Sequence, residues 1–247
     1  MQQYFVKGLA SSPVTIEDKE NSKHMFQVMR LKEDDEVTLV FDDGIKRLAR
    51  VVNVESRQLE LIEELVDNVE LPVQVTIASG FPKGDKLEWV AQKTTELGAA
   101  AIWAFPSDWS VTKWDGKKLA KKADKLEKIV LGAAEQSKRN LVPSITLFEK
   151  KADFLAQFDQ FDRIVVAYEE SAKEGEVAAL LQSLTGLEAG SKLLLIFGPE
   201  GGLSPAEIES FTAKGAVLAG LGPRILRAET APLYALSAVS VVTELMN

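Results

Sequence analysis

The chain has 247 residues, 46% of them hydrophobic and 27% charged, a balance that suits a folded water-facing protein of one large or two ordinary domains. It has no cysteine and one histidine, His24, so disulfides, thiolate metal sites and two-histidine metal helices are excluded and no metal is expected. The formal charge of −8 argues against coating nucleic acid through bulk charge, though not against a local basic patch.

No apolar run approaches the roughly 20 residues of a membrane span. The opening Met-Gln-Gln-Tyr-Phe-Val-Lys lacks a signal-peptide pattern. A cytoplasmic location and no membrane partner are therefore expected. Residues 1–70 read as all-β, with short β-branched or alternating runs at Tyr4–Val6, Glu36–Phe41, Leu48–Val54 and Gln58–Glu63. Asp42-Asp43-Gly44 is a hairpin signal, and one helix-like segment spans Asn21–Met29. So many short strands in so little chain predict a small barrel.

The pattern changes at Glu70-Leu71-Pro72, where a boundary between residues 1–70 and 71–247 is expected. Beyond it, apolar strand candidates at Val73–Ala78, Ala100–Phe105, Arg163–Ala167, Leu193–Phe197 and Ala216–Leu221 alternate with helices, the mark of an α/β parallel sheet. Asp85 and Glu88 form a capping-box variant before a helix over Lys86–Leu97, with Leu87, Val90, Ala91, Thr94 and Leu97 inward and Gly98 as the stop. A second helix is predicted over Lys117–Lys138, with Leu119, Ala123, Leu126, Val130 and Ala133 inward. Ser204-Pro205-Ala206-Glu207 is a capping box with proline at the first helical position. An Ala- and Ser-rich apolar helix over Ala231–Met246 closes the chain.

Two glycine-bearing loops carry the chemistry. Leu193–Phe197 runs into Gly198-Pro199-Glu200-Gly201-Gly202, where glycine permits positive φ and close approach of backbone to a ligand. Taken alone, such a turn reads first as an ordinary strand-to-helix connection, and neither the P-loop nor the dinucleotide pattern is present. The second loop is Leu221-Gly222-Pro223-Arg224-Ile225-Leu226-Arg227-Ala228-Glu229-Thr230-Ala231. There Thr230 is a candidate helix cap, and Arg224, Arg227 and Glu229 form either a surface ion-pair cluster or a site.

With these two loops, the sequence resembles the SPOUT-class methyltransferases, and most closely the RsmE-type family of 16S rRNA uridine-N3 methyltransferases. Further motifs carry the resemblance over nearly the whole chain: His24 with Val28-Met29-Arg30, Lys83–Glu88, Gln92-Lys93, Thr95–Gly98, Glu135-Gln136-Ser137 with Arg139 and Pro143, and Ala167–Glu170. The resemblance implies a PUA-like β-barrel followed by an α/β domain with a deep trefoil knot, a homodimer, and 16S rRNA as partner, in the assembled small ribosomal subunit. It implies S-adenosylmethionine as cofactor, held by Tyr168, Phe197, Gly198, Glu200, Gly201, Gly202, Leu221, Gly222, Ile225, Leu226 and Thr230. Glu229 is the candidate base, and Arg224 and Arg227 the candidate stabilisers of an anion developing on uracil O2 and O4. Glu200 is a second carboxylate that could instead only hold its loop. His24 is read as supporting the barrel or the domain junction rather than the chemistry.

Candidate RNA contacts are Arg30, Lys83, Lys86, Lys118, Lys121, Gln136 and Arg139. Segment 113–139 holds nine Lys/Arg against four acids, a local balance of +5 in an acidic chain. The chain departs from the family at Gln3 and Trp109, where arginine is usual; Trp109 could stack on a base or cover apolar surface. Two other readings stay open: a different SPOUT enzyme acting on tRNA or a ribose 2′-hydroxyl, and a non-catalytic RNA-binding assembly factor.

Overall fold

The computed structural model describes residues 1–169 and 179–246. Its contacts divide the chain into two units, one of Met1–Glu70 with Ala134–Leu141, the other of Leu71–Ala133 with Val142–Asn247.

In the first unit, strands β1 (Gln3–Phe5), β2 (Val14–Thr15), β3 (Glu36–Val40), β4 (Lys46–Asn53) and β5 (Gln58–Leu65) form one sheet in the order β1-β3-β4-β5-β2. No ladder joins β1 to β2 among the described residues, so the sheet is curled rather than a hydrogen-bonded ring. The hairpin signal is met: β3 and β4 pair antiparallel, and Gly44 takes φ +71° between them. Tyr4, Val37, Leu39, Ala49, Val51 and Leu59 bury against Met25, from a segment that is α-helical over Lys19–Lys23 (α1) and π-helical over His24–Val28. The Tyr4 hydroxyl stands 3.0 Å from His24 Nδ1, so this histidine serves the packing of its own unit.

Ala134–Leu141 belongs with the first unit, where the sequence reading placed it in the second. The cause is a buried polar junction. Glu70 accepts from the Arg139 guanidinium and, through Oε1, from the backbone N–H of Asn140 at 2.7 Å. Gln3 Nε2 donates to the Arg139 carbonyl at 2.7 Å, and Asn140 Nδ2 donates to the Gly44 carbonyl at 3.0 Å.

The second unit is built on a six-stranded, wholly parallel sheet: β6 (Gln74–Gly80), β7 (Ala101–Phe105), β8 (Ser144–Leu147), β9 (Arg163–Ala167), β10 (Lys192–Phe197) and β11 (Val217–Ala219), in the order β11-β9-β10-β6-β7-β8. The alternation of side chains along β10 feeds two cores. Leu193, Leu195 and Phe197 pack with Val75, Ile77 and Val165. Leu194 and Ile196 face Ala78, Phe105, Phe154, Phe158 and Phe211 on the other side.

The helices are α2 (Lys86–Glu96), α3 (Gly116–Gln136), α4 (Lys151–Leu155), α5 (Ala179–Leu184), α6 (Pro205–Thr212) and α7 (Ala231–Ser240), the last running into a π-helical turn over Val241–Leu245. The Ser204–Glu207 capping box forms with both its hydrogen bonds. Two other caps do not. Asp85 sits at φ −102°, ψ 8°, makes no side-chain cap, and leaves Glu88 to pair with Lys125 at 2.7 Å. Thr230 takes a helical backbone, φ −89°, ψ −36°, which turns its hydroxyl from the N–H groups it was expected to accept. No described helix is long and apolar enough to cross a membrane.

Candidate active site

Adjacent strands β10 and β6 send the chain in opposite directions: β6 leads to β7 on one side, β10 to β11 on the other, beyond β9. Such a switch point opens a crevice beyond the carboxyl ends of the strands. Both glycine-bearing loops leave the sheet at that end, one after β10 and one after β11, with Tyr168 following β9 between them. The Tyr168 N–H donates to the Ala219 carbonyl at 3.0 Å.

Glycine is required here by space as much as by φ. A β-carbon on Gly198 would stand 2.8 Å from the carbonyl carbon of Gly202, so the turn could not close. On Gly80, at the end of β6, it would stand 2.6 Å from Pro199 Cδ and 3.0 Å from Ser107 Cβ. Gly202 and Gly222 take φ +79° and +89°. These turns are drawn tight, with backbone where side chains would otherwise intrude, and they fit a ligand that needs close main-chain approach.

Lys86 ties the two loops together. Its Nζ stands 3.0 Å from Glu200 Oε1 and 3.1 Å from Glu229 Oε2. Glu200 Oε1 also accepts the Lys83 N–H at 3.1 Å. The contact to Glu229 is an ion pair whose alignment falls short of a hydrogen bond, so Oε2 remains buried without a hydrogen-bond donor among the described residues. Burial pushes the Glu229 carboxyl up, but its own N–H, the Lys86 ammonium and the Arg227 charge outweigh this and hold it below the ordinary 4.5. Glu200 is likewise held low: burial raises it, and its own N–H, Lys86 and the Lys83 N–H prevail. The Glu200 and Glu229 carboxylates facing its ammonium raise Lys86 against the cost of burial. All three groups are therefore charged at neutral pH.

The remaining expected residues divide. Arg224 and Arg227 are exposed, and Arg227 lies 4.0 Å from Glu229, the limit of an ion pair. Phe197 is 2% exposed, its ring in the core, so only its backbone is offered to a ligand. Leu221, Gly222 and Leu226 are half-buried, and Ile225 is exposed. Glu170 of the Ala167–Glu170 motif lies outside the described residues. Lys83, Lys118, Lys121, Arg30 and Gln136 are exposed, as RNA contacts require. Lys86 is committed to two carboxylates instead. Arg139 is corrected outright: it is 2% exposed and paired with Glu70, so it is not available as an RNA contact. On α3, Lys122 lies 4.5 Å over the Trp114 ring and Lys125 pairs with Glu88, leaving Lys118 and Lys121 facing solvent.

Sequence reasoning missed the support beneath the Gly198–Gly202 turn. Buried Glu207 closes its own capping box and also accepts from Ser107 Oγ at 3.1 Å and the Asp108 N–H at 3.0 Å. Asp108 in turn accepts from Ser204 Oγ at 2.7 Å and pairs with Lys151, and these two partners hold its carboxyl below the ordinary value. The capping box was legible; its second set of partners, about a hundred residues away, was not. No group of three or more acidic or histidine side chains suited to a metal occurs among the described residues.

An RNA methyltransferase domain model matches residues 69–240, and an RNA methyltransferase PUA domain model matches 16–64. The chain is 46% identical to the ribosomal RNA small subunit methyltransferase E of Bacillus subtilis, over 100% of this chain and 99% of that one. Among solved structures it resembles a Legionella pneumophila methyltransferase in complex with SAM (28% identity, TM-score 0.80, 97% of both chains). It also resembles a ribosomal RNA small subunit methyltransferase E of Neisseria gonorrhoeae bound to S-adenosyl methionine (25% identity, TM-score 0.79, 98% of both chains). The chain belongs to the ribosomal RNA small subunit methyltransferase E family.

Proposed function

We propose that this protein transfers a methyl group from S-adenosylmethionine to N3 of a specific uridine in 16S rRNA. The observation that carries the reading is the meeting of the two glycine-bearing loops through Lys86, which puts a tight main-chain turn and an ionised, under-bonded carboxylate in one crevice. The donor supplies a methyl carbon already activated by its sulfonium. The backbone of Gly198, Gly201, Gly202, Leu221, Gly222 and Leu226, with Tyr168, would hold it.

What remains for the protein is positioning and the N3 proton. Glu229 accepts that proton as N3 bonds to the methyl carbon, and the sulfonium leaves as a neutral thioether. Arg224 and Arg227 offset the negative charge on O2 and O4. Lys86 holds Glu200 and Glu229 in register. Lys118 and Lys121, on the exposed face of α3, meet phosphates and contribute salt-dependent affinity.

The trefoil knot is supported by the return of the chain: β11 lies outside β9, and α7 then packs on α2, β10 and α5. A homodimer is supported by apolar surface near the C-terminal end, where Tyr234, Val241, Leu245 and Met246 are exposed. The acceptor in this reading is the assembled small subunit, in the cytoplasm. The test is methyl transfer from labelled donor to small subunits lacking the modification. Glu229→Gln should fold, bind donor and lose turnover; unchanged turnover removes Glu229 as the base.

A further inference from the structure

We propose that Trp109 is a nucleobase-stacking residue for the RNA substrate at the mouth of the donor crevice, an inference that rests on the proposed methyl transfer and adds to it how the RNA is gripped.

Trp109 lies against the donor turn. A β-carbon at Gly201 would stand 3.2 Å from both Trp109 Cβ and its carbonyl oxygen. One at Gly202 would stand 4.0 Å from Cε3 and Cζ3 of the indole. The ring therefore covers the Gly201–Gly202 end of the loop, yet it remains 49% exposed. Trp103 and Trp114 have ring partners, and Trp89 has Lys93 over its face. Trp109 has neither a ring nor a cation partner among the described residues.

The mount is rigid. Ser107, Asp108 and Ser110 are fixed by the hydrogen bonds to Glu207 and Ser204 and by a Ser110 N–H to Ser107 carbonyl bond of 3.0 Å. A side chain held this way loses little further freedom when a flat ligand settles on it.

A uridine presenting N3 to a methyl donor must give up its own stacking and pairing partners. An aromatic face at the donor turn replaces the stacking that is lost, and it does so for any base because every base has a π-face. The acceptor side of the crevice is where such a face is useful, and a water-exposed indole is open to a ligand arriving from solution.

The test compares Trp109→Ala and Trp109→Phe with the parent chain in three measurements: donor affinity by calorimetry, KM and kcat for small subunits, and quenching of tryptophan fluorescence by single-stranded uridine-containing RNA. Stacking predicts that Ala raises the KM for RNA by about tenfold or more, leaves donor affinity within twofold, and abolishes the RNA-dependent quenching, while Phe, which loses the fluorophore but keeps an aromatic face, holds KM close to the parent. The inference is overturned if Ala leaves KM and quenching unchanged, if Phe raises KM as much as Ala, or if Ala weakens donor binding as much as RNA binding. If the parent chain transfers no methyl at all, the enzymatic reading fails, and the quenching arm still decides whether Trp109 stacks on RNA.

Discussion

Replacing Lys86 with methionine keeps most of the stem and removes the charge that holds the two loops together. Both carboxylates stand within 3.1 Å of that ammonium. Their facing oxygens are thus no more than about 6 Å apart, and at an effective dielectric between 20 and 80 two bare charges at that distance repel by about 0.7–2.8 kcal/mol. Glu200 and Glu229 are 26% and 18% exposed, so water screens part of this and about 1–2 kcal/mol is expected. The result should be roughly a tenfold loss of donor affinity. Glu229 also loses a cause of its lowered pKa, so the acid limb of methyl transfer should move to higher pH. The sign is fixed: a depressed carboxylate is active above its pKa and lost as pH falls through it. Calorimetric titration with donor and a pH–rate profile measure both effects. Donor affinity within twofold of the parent, together with an unmoved acid limb, would refute the bridging role.

Three further variants probe other links. Gly198→Ala puts a methyl 2.8 Å from the Gly202 carbonyl carbon, which forces the turn open; donor-dependent turnover should fall by about a hundredfold with the circular dichroism spectrum unchanged. Reversing Lys118 and Lys121 to glutamate should weaken RNA binding and make its salt dependence shallower by about 1.5 in log–log slope, with donor affinity intact. Glu135, in the first unit, is raised from 4.5 to about 7, chiefly by burial. Because its folded pKa lies above the unfolded one, stability falls as pH rises from 4.5 to 7. Glu135→Gln should therefore raise the melting temperature at pH 8 and change it little at pH 5; an equal effect at both would contradict the assignment.

The readable parts of the sequence were those where local backbone chemistry leaves few options. Gly202 and Gly222 adopt the positive φ that favours glycine, Gly198 and Gly80 sit where no β-carbon fits, and Ser204–Glu207 has the spacing of a reciprocal cap. Spacing misled where the backbone did not cooperate: Asp85 and Thr230 are cap residues by type, but their φ and ψ turn the side chains away from the N–H groups. Strand β8 was missed because it is a short edge strand, half-buried, with no apolar run of its own. Arg139 was misread because its partner, Glu70, is 69 residues away, and no spacing rule connects a basic residue at the end of a cationic helix to a buried carboxylate. Lys86, a candidate RNA contact in the sequence, is bound in the same way to distant carboxylates; only the folded chain brings Glu200 and Glu229 to it.

The most direct measurement of the central claim is nucleoside analysis of 16S rRNA after incubation of unmodified small subunits with the protein and isotopically labelled S-adenosylmethionine. The account predicts one labelled methyl per subunit, carried on N3 of a uridine and absent with Glu229→Gln. Label on a ribose 2′-hydroxyl, on another base, or in tRNA but not in 16S rRNA would contradict it.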